Sequence, residues 1–410
     1  MNYQHFLDLA TALGFRLARC GAETYRVEES INRVLSAYGI ASEAYVIPNC
    51  MTITVVTQEG ESITRMRRIS NTVSDLDGVE RYSGLSRRIC SEKPDPLVAL
   101  SWLRAADKSR PLYSPFWIYV GYVLGSAGFG WFYGGSLADG LCAGVCGIVG
   151  CAADRIMARL QVNKFFSTIV ASFFMAITAY ILYHLNLSAN PDAAIIGTLM
   201  TLVPGLLFTN AMRDIIFGDT NSGVNRIVQV LLIALAIACG TSFAWNAATA
   251  FWGTPVSVAA INHSFWVEAL ACCVGVLGFS FLFNVRGRGL VLCMAGAVVC
   301  WGVYTLVPLF GGNENTAMFI GSMYAAIHAE IMARVRKCPA IGFLIMALLP
   351  LIPGSSLYYT MNYAVRGEMA LFASKGMSTI VFAGLMAAGV LLISTSMRMW
   401  TVWKFEHKKK

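Results

Sequence analysis

The first 110 residues show the spacing of hydrophobic positions that is typical of a small soluble domain. Hydrophobic residues recur three or four positions apart in two segments, which predicts two amphipathic helices with Gly39 closing the second. These residues are Leu7, Ala10, Leu13 and Leu17, followed by Val27, Ile31, Val34 and Tyr38. The period then changes to two around 52–55 and 63–66, with a turn at Glu59-Gly60, which predicts a β-hairpin. Two more helices are expected over about 76–91 and 96–107, so residues 1–110 are predicted to form an α+β domain.

Residues 111–400 consist mainly of long apolar runs separated by short polar segments. A bilayer core of about 30 Å requires about 20 apolar residues per helix, so these runs predict membrane spans. Ten spans are expected, over about 115–134, 137–153, 165–187, 193–217, 224–246, 264–285, 289–310, 315–334, 340–364 and 371–397. The predicted fold class is therefore mainly α: a polytopic membrane protein preceded by a small soluble α+β domain.

The distribution of charged residues supports this division of the chain. Of the 410 residues, 56% are hydrophobic and 13% are charged. Residues 1–110 hold 27 charged residues, whereas the 290 residues of 111–400 hold only 22. This excludes a soluble enzyme for the larger part of the chain. The net charge of +8 is better explained by basic loops facing an anionic leaflet than by nucleic-acid binding, which is not expected.

Basic residues occupy alternate loops between the predicted spans. Loops 131–139, 184–193, 246–263 and 310–314 contain no Lys or Arg, whereas the other loops are basic. The basic residues are Arg155, Arg159, Lys164, Arg226, Arg286, Arg288, Arg334, Arg336 and Lys337. Because basic loops stay on the cytoplasmic side, both termini are predicted to be cytoplasmic, at the inner (plasma) membrane. Only the loop with Arg366 and Lys375 departs from the pattern.

An internal repeat lies within the predicted spans. Leu202-Val203-Pro204-Gly205 matches Leu351-Ile352-Pro353-Gly354 at an offset of 149 residues. At the same offset, Gly218-Asp219 falls on Gly367-Glu368, Arg226 on Lys375 and Gly240 on Gly389. Because this offset covers five spans, an odd number, the second copy is predicted to be inverted, as in many secondary transporters.

The repeat completes the predicted domain organisation. Residues 1–110 form the cytoplasmic α+β domain, and 111–246 form a first module of five spans. Residues 247–263 form an external connecting loop, 264–400 form the second, inverted module, and 401–410 form a basic cytoplasmic tail.

The paired Pro-Gly segments predict two broken helices. Proline removes a backbone hydrogen bond and glycine relaxes the backbone, so spans four and nine should kink or break there. Backbone groups freed in a membrane are tolerated only inside protein or beside a wet cavity, where they can bind a polar substrate or an ion. Pro204, Gly205, Pro353 and Gly354 are therefore predicted to create the binding site.

Polar residues downstream of each break are candidates for substrate or proton binding. In the first half these are Thr209, Asn210, Arg213, Asp214 and Asp219, with Arg213 suited to a carboxylate and Asp214 to an amine or proton. An equally weighted alternative is that Arg213 and Asp214 simply end the span at the cytoplasmic interface. In the second half the candidates are Ser355, Tyr359 and Glu368.

The segment Gly21-Ala22-Glu23-Thr24-Tyr25-Arg26-Val27-Glu28 places several polar groups at the start of a helix. It is interpreted as a tight turn with acidic residues at the positive end of a helix. A ligand or docking site involving Gly21, Glu23, Arg26 and Glu28 is the alternative.

No cofactor or metal site is expected from the sequence. The twelve cysteines are scattered and lack partners at ligand spacing. No Walker A motif occurs, so an ion gradient is the expected energy source.

In combination, the 21–28 segment, Pro204-Gly205 with Thr209-Asn210 and Arg213-Asp214, and Gly218-Asp219 resemble the threonine/serine exporter family. The segment Pro350–Gly354 is similar to that family's smaller C-terminal module, so the resemblance covers about residues 2–400. It implies a ten-helix inner-membrane exporter of threonine and serine driven by the proton motive force, and not an enzyme. Split relatives are associated with succinate export.

The leading hypothesis is a proton-coupled exporter of small polar metabolites, with threonine and serine as the expected substrates, working by alternating access at spans four and nine. A dicarboxylate exporter is the first alternative. A membrane-anchored enzyme or sensor acting through the N-terminal domain is the second. The expected partners are the substrate, protons and the lipid bilayer, and a homo-oligomer is left open.

Overall fold

The computed structural model describes residues 2–70, 72–109, 112–216, 218–255 and 259–408. Within these ranges it does not describe the side chains of Gly205, Leu206, Thr209, Arg213, Ile216, Val365, Thr401, Val402 and residues 405–408. The chain divides into two compact units. The N-terminal unit comprises Met1–Leu112 with Phe283–Arg286 and Ala333–Gly342, and the helical unit comprises the remainder.

The N-terminal unit is an α+β structure with four helices and one three-stranded sheet among its described residues. Its elements are α1 (Tyr3–Arg19), α2 (Thr24–Ala37), β1 (Ala41–Ile47), β2 (Cys50–Val56), β3 (Ser62–Arg68), α3 (Leu76–Glu92) and α4 (Pro96–Lys108). Leu7, Leu13, Val27, Ile31 and Val34 are at most 1% exposed, so the hydrophobic faces predicted for α1 and α2 form the core.

The sheet contains one strand more than the predicted hairpin. Its order is β1-β2-β3 and both pairings are antiparallel. On the central strand β2, Met51, Ile53 and Val55 are buried and alternate with half-buried residues, as the period of two predicts. The additional strand β1 buries only Val46. A weakly alternating edge strand of this kind gives little hydrophobic signal in the sequence.

Two segments from between the predicted spans belong to the N-terminal unit. Asp75 is 3% exposed and accepts a hydrogen bond of 2.7 Å from Nδ2 of Asn284. The backbone N–H of Leu76 donates to the carbonyl of Phe283 at 3.0 Å. These contacts tie the start of α3 to the 283–286 segment.

The helical unit contains twelve α-helices among its described residues. They are α5 (Pro115–Phe132), α6 (Leu137–Arg159), α7 (Lys164–His184), α8 (Pro191–Leu199), α9 (Gly205–Ile216), α10 (Thr220–Trp252), α11 (Phe265–Leu282), α12 (Arg288–Leu306), α13 (Glu314–Arg336), α14 (Ile341–Leu348), α15 (Gly354–Val365) and α16 (Met369–Lys408). The first two residues of α14 and the last four of α13 fall in the N-terminal unit.

Six of the described helices are individually long and apolar enough to cross a membrane, and the α14–α15 pair raises this number to seven. The chain is therefore a multi-pass membrane protein. The sequence predicted ten spans, and the difference arises partly because α8, α9, α14 and α15 are shorter than the roughly 20 residues that a span requires.

Two helices extend beyond their predicted ends. α10 continues to Trp252, into the predicted 247–263 loop, and ends where Gly253 adopts a φ of 83°. No glycine or proline interrupts residues 247–252, so nothing in the sequence stops the helix earlier. α16 likewise continues to Lys408, through most of the predicted tail.

α5 and α11 pack closely through glycines. A Cβ added at Gly128 would lie 2.5 Å from Cα of Gly275, and one added at Gly278 would lie 2.7 Å from Cα of Gly125. Gly125 thus contacts Gly278, and Gly128, three residues later on α5, contacts Gly275, three residues earlier on α11. The two helices therefore run antiparallel. Small residues permit this close approach of two backbones in a membrane.

Candidate functional site

The first predicted break lies between α8 and α9. α8 ends at Leu199, and the N–H groups of Leu202 and Val203 both donate to the carbonyl of Leu199 at 2.8 Å. Pro204 has no N–H to continue the helix, and α9 begins at the next residue, Gly205. The Pro-Gly pair thus separates two short helices.

The second break lies between α14 and α15. α14 passes into a short 3₁₀ turn over Leu349–Leu351, and α15 begins at Gly354 after Pro353. The two helical parts are bent by 55° relative to each other. The N–H of Gly354 donates to the carbonyl of Ile352 at 2.7 Å, within the turn itself. Both breaks that the sequence predicts are therefore present.

The two breaks contact each other. A Cβ added at Gly354 would lie 2.7 Å from Sδ of Met200 and 3.2 Å from Cγ1 of Val203. Glycine at this position therefore lets the second break approach the first. α9 also packs against α16, and α15 against α10, so each short helix contacts the long helix of the other half. The two broken segments therefore lie together.

α9 carries a buried ion pair beyond the first break. Nε of Arg226 on α10 lies 3.2 Å from Oδ2 of Asp214, and the two side chains are only 10% and 7% exposed. Asn210 is half-buried one turn earlier. The side chains of Thr209 and Arg213, the other candidates on α9, lie outside the described residues. Asp214 is thus held inside the protein by a cation, not exposed at a helix end.

α15 supplies hydroxyl groups beyond the second break. Ser355 and Tyr359 are half-buried, and the ring of Tyr359 stacks on Tyr363 with a centroid distance of 6.3 Å. The next residue after Tyr359 is Thr360, whose Oγ1 lies 3.3 Å from Oγ1 of Thr379 on α16. The side chains that α15 itself contributes here are polar and uncharged.

The repeated Gly-acid pairs form equivalent turns after α9 and α15. Gly218 and Gly367 have φ of 92° and 77°, the left-handed conformation that favours glycine. Asp219 caps α10 by accepting a hydrogen bond from the N–H of Ser222 at 3.2 Å, and Glu368 is exposed at the start of α16. The structure therefore gives Asp219 a capping contact and separates Glu368 from the buried groups.

Two models of the threonine/serine exporter family match the chain. ThrE matches residues 8–247, and ThrE_2 matches residues 268–396. The chain belongs to the threonine/serine exporter family. The threonine/serine exporter of Corynebacterium glutamicum is 23% identical over 400 residues, which are 94% of this chain and 81% of that protein. No solved structure matches. Family membership identifies a membrane transporter, not an enzyme, and supports export of small polar metabolites.

This family member has a further charged pair that the sequence analysis did not select. Cζ of Arg366, directly after α15, lies 5.0 Å from the ring centroid of Trp245. Arg366 also interacts electrostatically with Asp192, in the first turn of α8. Asp192 falls in the predicted 184–193 loop, just before the span that begins at residue 193, so the cost of an acid inside a membrane gave no signal for it. Arg366 was noted only as an exception to the loop pattern.

In the exporter's N-terminal unit, the 21–28 segment forms the tight turn before α2. Gly21 has a φ of 87°, and Glu23 is buried 2.8 Å from Nε of Arg26. Although burial alone lowers the pKa of the Arg26 guanidinium, the adjacent Glu23 carboxylate raises it above its usual value. Oε1 of Glu28 accepts a hydrogen bond of 2.8 Å from the N–H of Val46 on β1. These residues join α2 to its own turn and to the sheet.

Proposed function

We propose that the chain exports threonine and serine through a site formed where the two broken helices meet. The observation that carries this proposal is the contact of Gly354 with Met200 and Val203. Breaks at one point supply two half-helix N-termini, at Gly205 and Gly354. The positive ends of half-helices suit the carboxylate of an amino acid, and unwound carbonyls suit its ammonium group.

Side chains next to the breaks would recognise the rest of the substrate. Asn210, Ser355 and Tyr359 are half-buried and offer an amide and two hydroxyls. These groups match the single hydroxyl that threonine and serine share. A site built to pair with a substrate hydroxyl rejects analogues that lack it, because its own polar groups are then left unpaired.

The membrane helices are proposed to form two inverted copies of five spans each, with each broken pair counted as one span. Supporting this, the bounds of α5–α10 recur in α11–α16 at offsets close to 150 residues. At an offset of 150 residues, Gly125 and Gly128 of α5 correspond to Gly275 and Gly278 of α11. Gly128 contacts Gly275 and Gly125 contacts Gly278, so each contact is the equivalent of the other, as expected for two copies related by a two-fold axis. Alternating access would follow from rocking of one copy against the other.

Both termini are proposed to face the cytoplasm at the inner membrane. Phe283–Arg286 and Ala333–Gly342, which overlap two predicted basic loops and the adjoining ends of the predicted spans, belong to the N-terminal unit, which supports a common side. Two of the predicted external loops also contact each other, because Nε2 of His263 lies 2.8 Å from the carbonyl oxygen of Gly135.

Asp214 is proposed as the proton-coupled group. While Asp214 is ionised, its pairing with Arg226 holds α9 against α10 and closes one side of the site. Protonation removes the negative charge and weakens the pair, which would free α9 to move. Arg366 with Asp192 would close the opposite side in the same way.

A dicarboxylate substrate is not proposed. It would be favoured by a second cation facing the substrate next to Arg213. Among the described side chains, the cations near the two breaks are Arg226 and Arg366, and these interact with Asp214 and Asp192.

Export from cells tests the proposed substrate and site together. Cells preloaded with labelled threonine should release it faster when they produce the protein. Ser355→Ala and Tyr359→Phe should raise KM for threonine more than they lower the maximal rate. Met377→Ala, an exposed residue on α16, serves as the matched control. Release of succinate in place of threonine would contradict the proposed substrate.

A further inference from the structure

A polar groove lies between α2 and α3 of the N-terminal unit and has a volume of about 360 Å³. α2 contributes Arg26, Glu29 and Arg33 to its lining, and α3 contributes Arg87 and Cys90, together with four serines on the two helices. On each helix these residues are three, four or seven positions apart, so each helix presents one polar face to the groove.

The three arginines of the groove are held differently. Arg26 is fixed by the buried Glu23 at 2.8 Å. Arg33 pairs with Glu29 at 2.8 Å, but these side chains are 69% and 46% exposed, so solvent screens the pair and an anion can replace Glu29. Arg87 donates one hydrogen bond, to the carbonyl of Lys337 at 2.9 Å. Arg33 and Arg87 can therefore engage a ligand from opposite walls.

The chemistry of the groove suits a phosphate group. Guanidinium groups bind phosphate oxygens through paired N–H donors, and serine hydroxyls donate further hydrogen bonds. The volume exceeds that of an inorganic ion and lies within the range of small-molecule sites.

We propose that this groove binds a phosphate-bearing ligand held between Arg33 and Arg87. A soluble phosphate ester and an anionic lipid headgroup share this chemistry, and the experiment below distinguishes them. The proposal goes beyond amino-acid export and does not depend on it.

The position of the groove in the chain connects it to the transport helices. Pro339 lines the groove, and Arg87 binds the carbonyl of Lys337. The same segment leads directly into α14, the first part of the second broken helix, at Ile341. A bound ligand would thus contact the residues that precede this helix.

Cys90 provides a direct readout because its thiol lines the groove. Burial raises the pKa of the Cys90 thiol, although Arg33 and Lys93 act in the opposite direction, so alkylation by N-ethylmaleimide is best followed at alkaline pH. Peptide mass spectrometry would compare Cys90 with Cys50, which is half-buried on β2 and outside the lining residues of the groove. The full-length protein would be held in phosphatidylcholine nanodiscs, with AMP or pyrophosphate as the probe.

At ten times its Kd the probe leaves about one tenth of the protein unliganded, so Cys90 labelling should fall about tenfold while Cys50 is unaffected. The Arg33→Gln/Arg87→Gln variant should lose this protection. The single Arg33→Gln variant, in which Arg87 keeps its hydrogen bond to the carbonyl of Lys337, should be protected less strongly. Arg104→Gln removes one positive charge on α4, as Arg33→Gln does on α2, and should keep the full protection of Cys90. An unchanged Cys50 rate in each variant would show that the unit remains folded.

The outcomes separate the two sources of phosphate. Protection by AMP or pyrophosphate in phosphatidylcholine identifies a soluble ligand, and protection only in phosphatidylglycerol nanodiscs identifies a lipid headgroup. The proposal is overturned if no probe or lipid slows labelling of Cys90. It is also overturned if the Arg33→Gln/Arg87→Gln variant is protected as well as the natural protein.

Discussion

Removing Arg226 should strongly impair transport. In the Arg226→Gln variant, Asp214 keeps its carboxylate in a site where its side chain is only 7% exposed. Leaving one member of a buried ion pair without its partner costs about 3–5 kcal/mol. At about 1.4 kcal/mol per factor of ten, the population of the closed conformation should fall by about two to three and a half orders of magnitude.

A double-mutant cycle isolates the pair from the individual residues. Asp214→Asn combined with Arg226→Gln removes both charges, so the double variant should be more stable than Arg226→Gln alone. Thermal unfolding of the purified protein would measure stability, and release of labelled threonine from proteoliposomes would measure transport. Transport in the double variant should remain low, because the proton-coupled carboxylate is gone.

Lys375→Gln is the matched control for this cycle. Lys375 occupies the repeat position of Arg226 but is exposed, so its loss should change stability by less than about 1 kcal/mol. Additive effects of Asp214→Asn and Arg226→Gln on stability would refute the role of the ion pair. So would an Arg226→Gln variant that transports as well as Lys375→Gln.

Three further predictions concern the fold. Glu28→Ala leaves the N–H of Val46 without its acceptor and should destabilise the N-terminal unit by about 1–3 kcal/mol, measured as a lower Tm by circular dichroism. Gly128→Leu forces a side chain into the backbone of α11 and should abolish the monodisperse peak in size-exclusion chromatography; an unchanged elution profile would contradict the packing. Asp139→Ala removes the 1%-exposed acceptor of five hydrogen bonds in the 136–190 region and should lower Tm by more than Asp154→Ala, which breaks a partly exposed pair; equal losses would contradict this reasoning.

Periodicity and proline chemistry carried most of the fold prediction. The helical spacing of Leu7, Leu13 and Ile31 located the core of the N-terminal unit, because burial on one helix face leaves a direct trace in sequence. Pro204 and Pro353 located both breaks, because a missing N–H acts locally. β1 was missed because an edge strand that buries one hydrophobic residue has almost no alternation.

The candidate site was harder to predict from the sequence, because its ion pairs join residues that are distant in the chain. Asp214 and Arg226 were selected separately, one as a site residue and the other as part of the repeat. Only packing of α9 against α10 brings them to 3.2 Å. Asp192 and Arg366 are 174 positions apart and share no motif, so nothing local connects them. Of the groove residues on α2 and α3, only Arg26 was selected, as part of the 21–28 segment, since serines and arginines on two separate helices resemble solvated faces.

Threonine flux through the purified protein under an imposed pH gradient tests the central proposal most directly. Proteoliposomes would contain labelled threonine on the side that corresponds to the cytoplasm, with the opposite side more acidic. The proposal predicts rapid release that stops when an ionophore collapses the gradient, and equal competition by unlabelled serine. Release that is unchanged by the ionophore would contradict proton coupling, and absence of threonine release under any gradient would contradict the exporter function at this site.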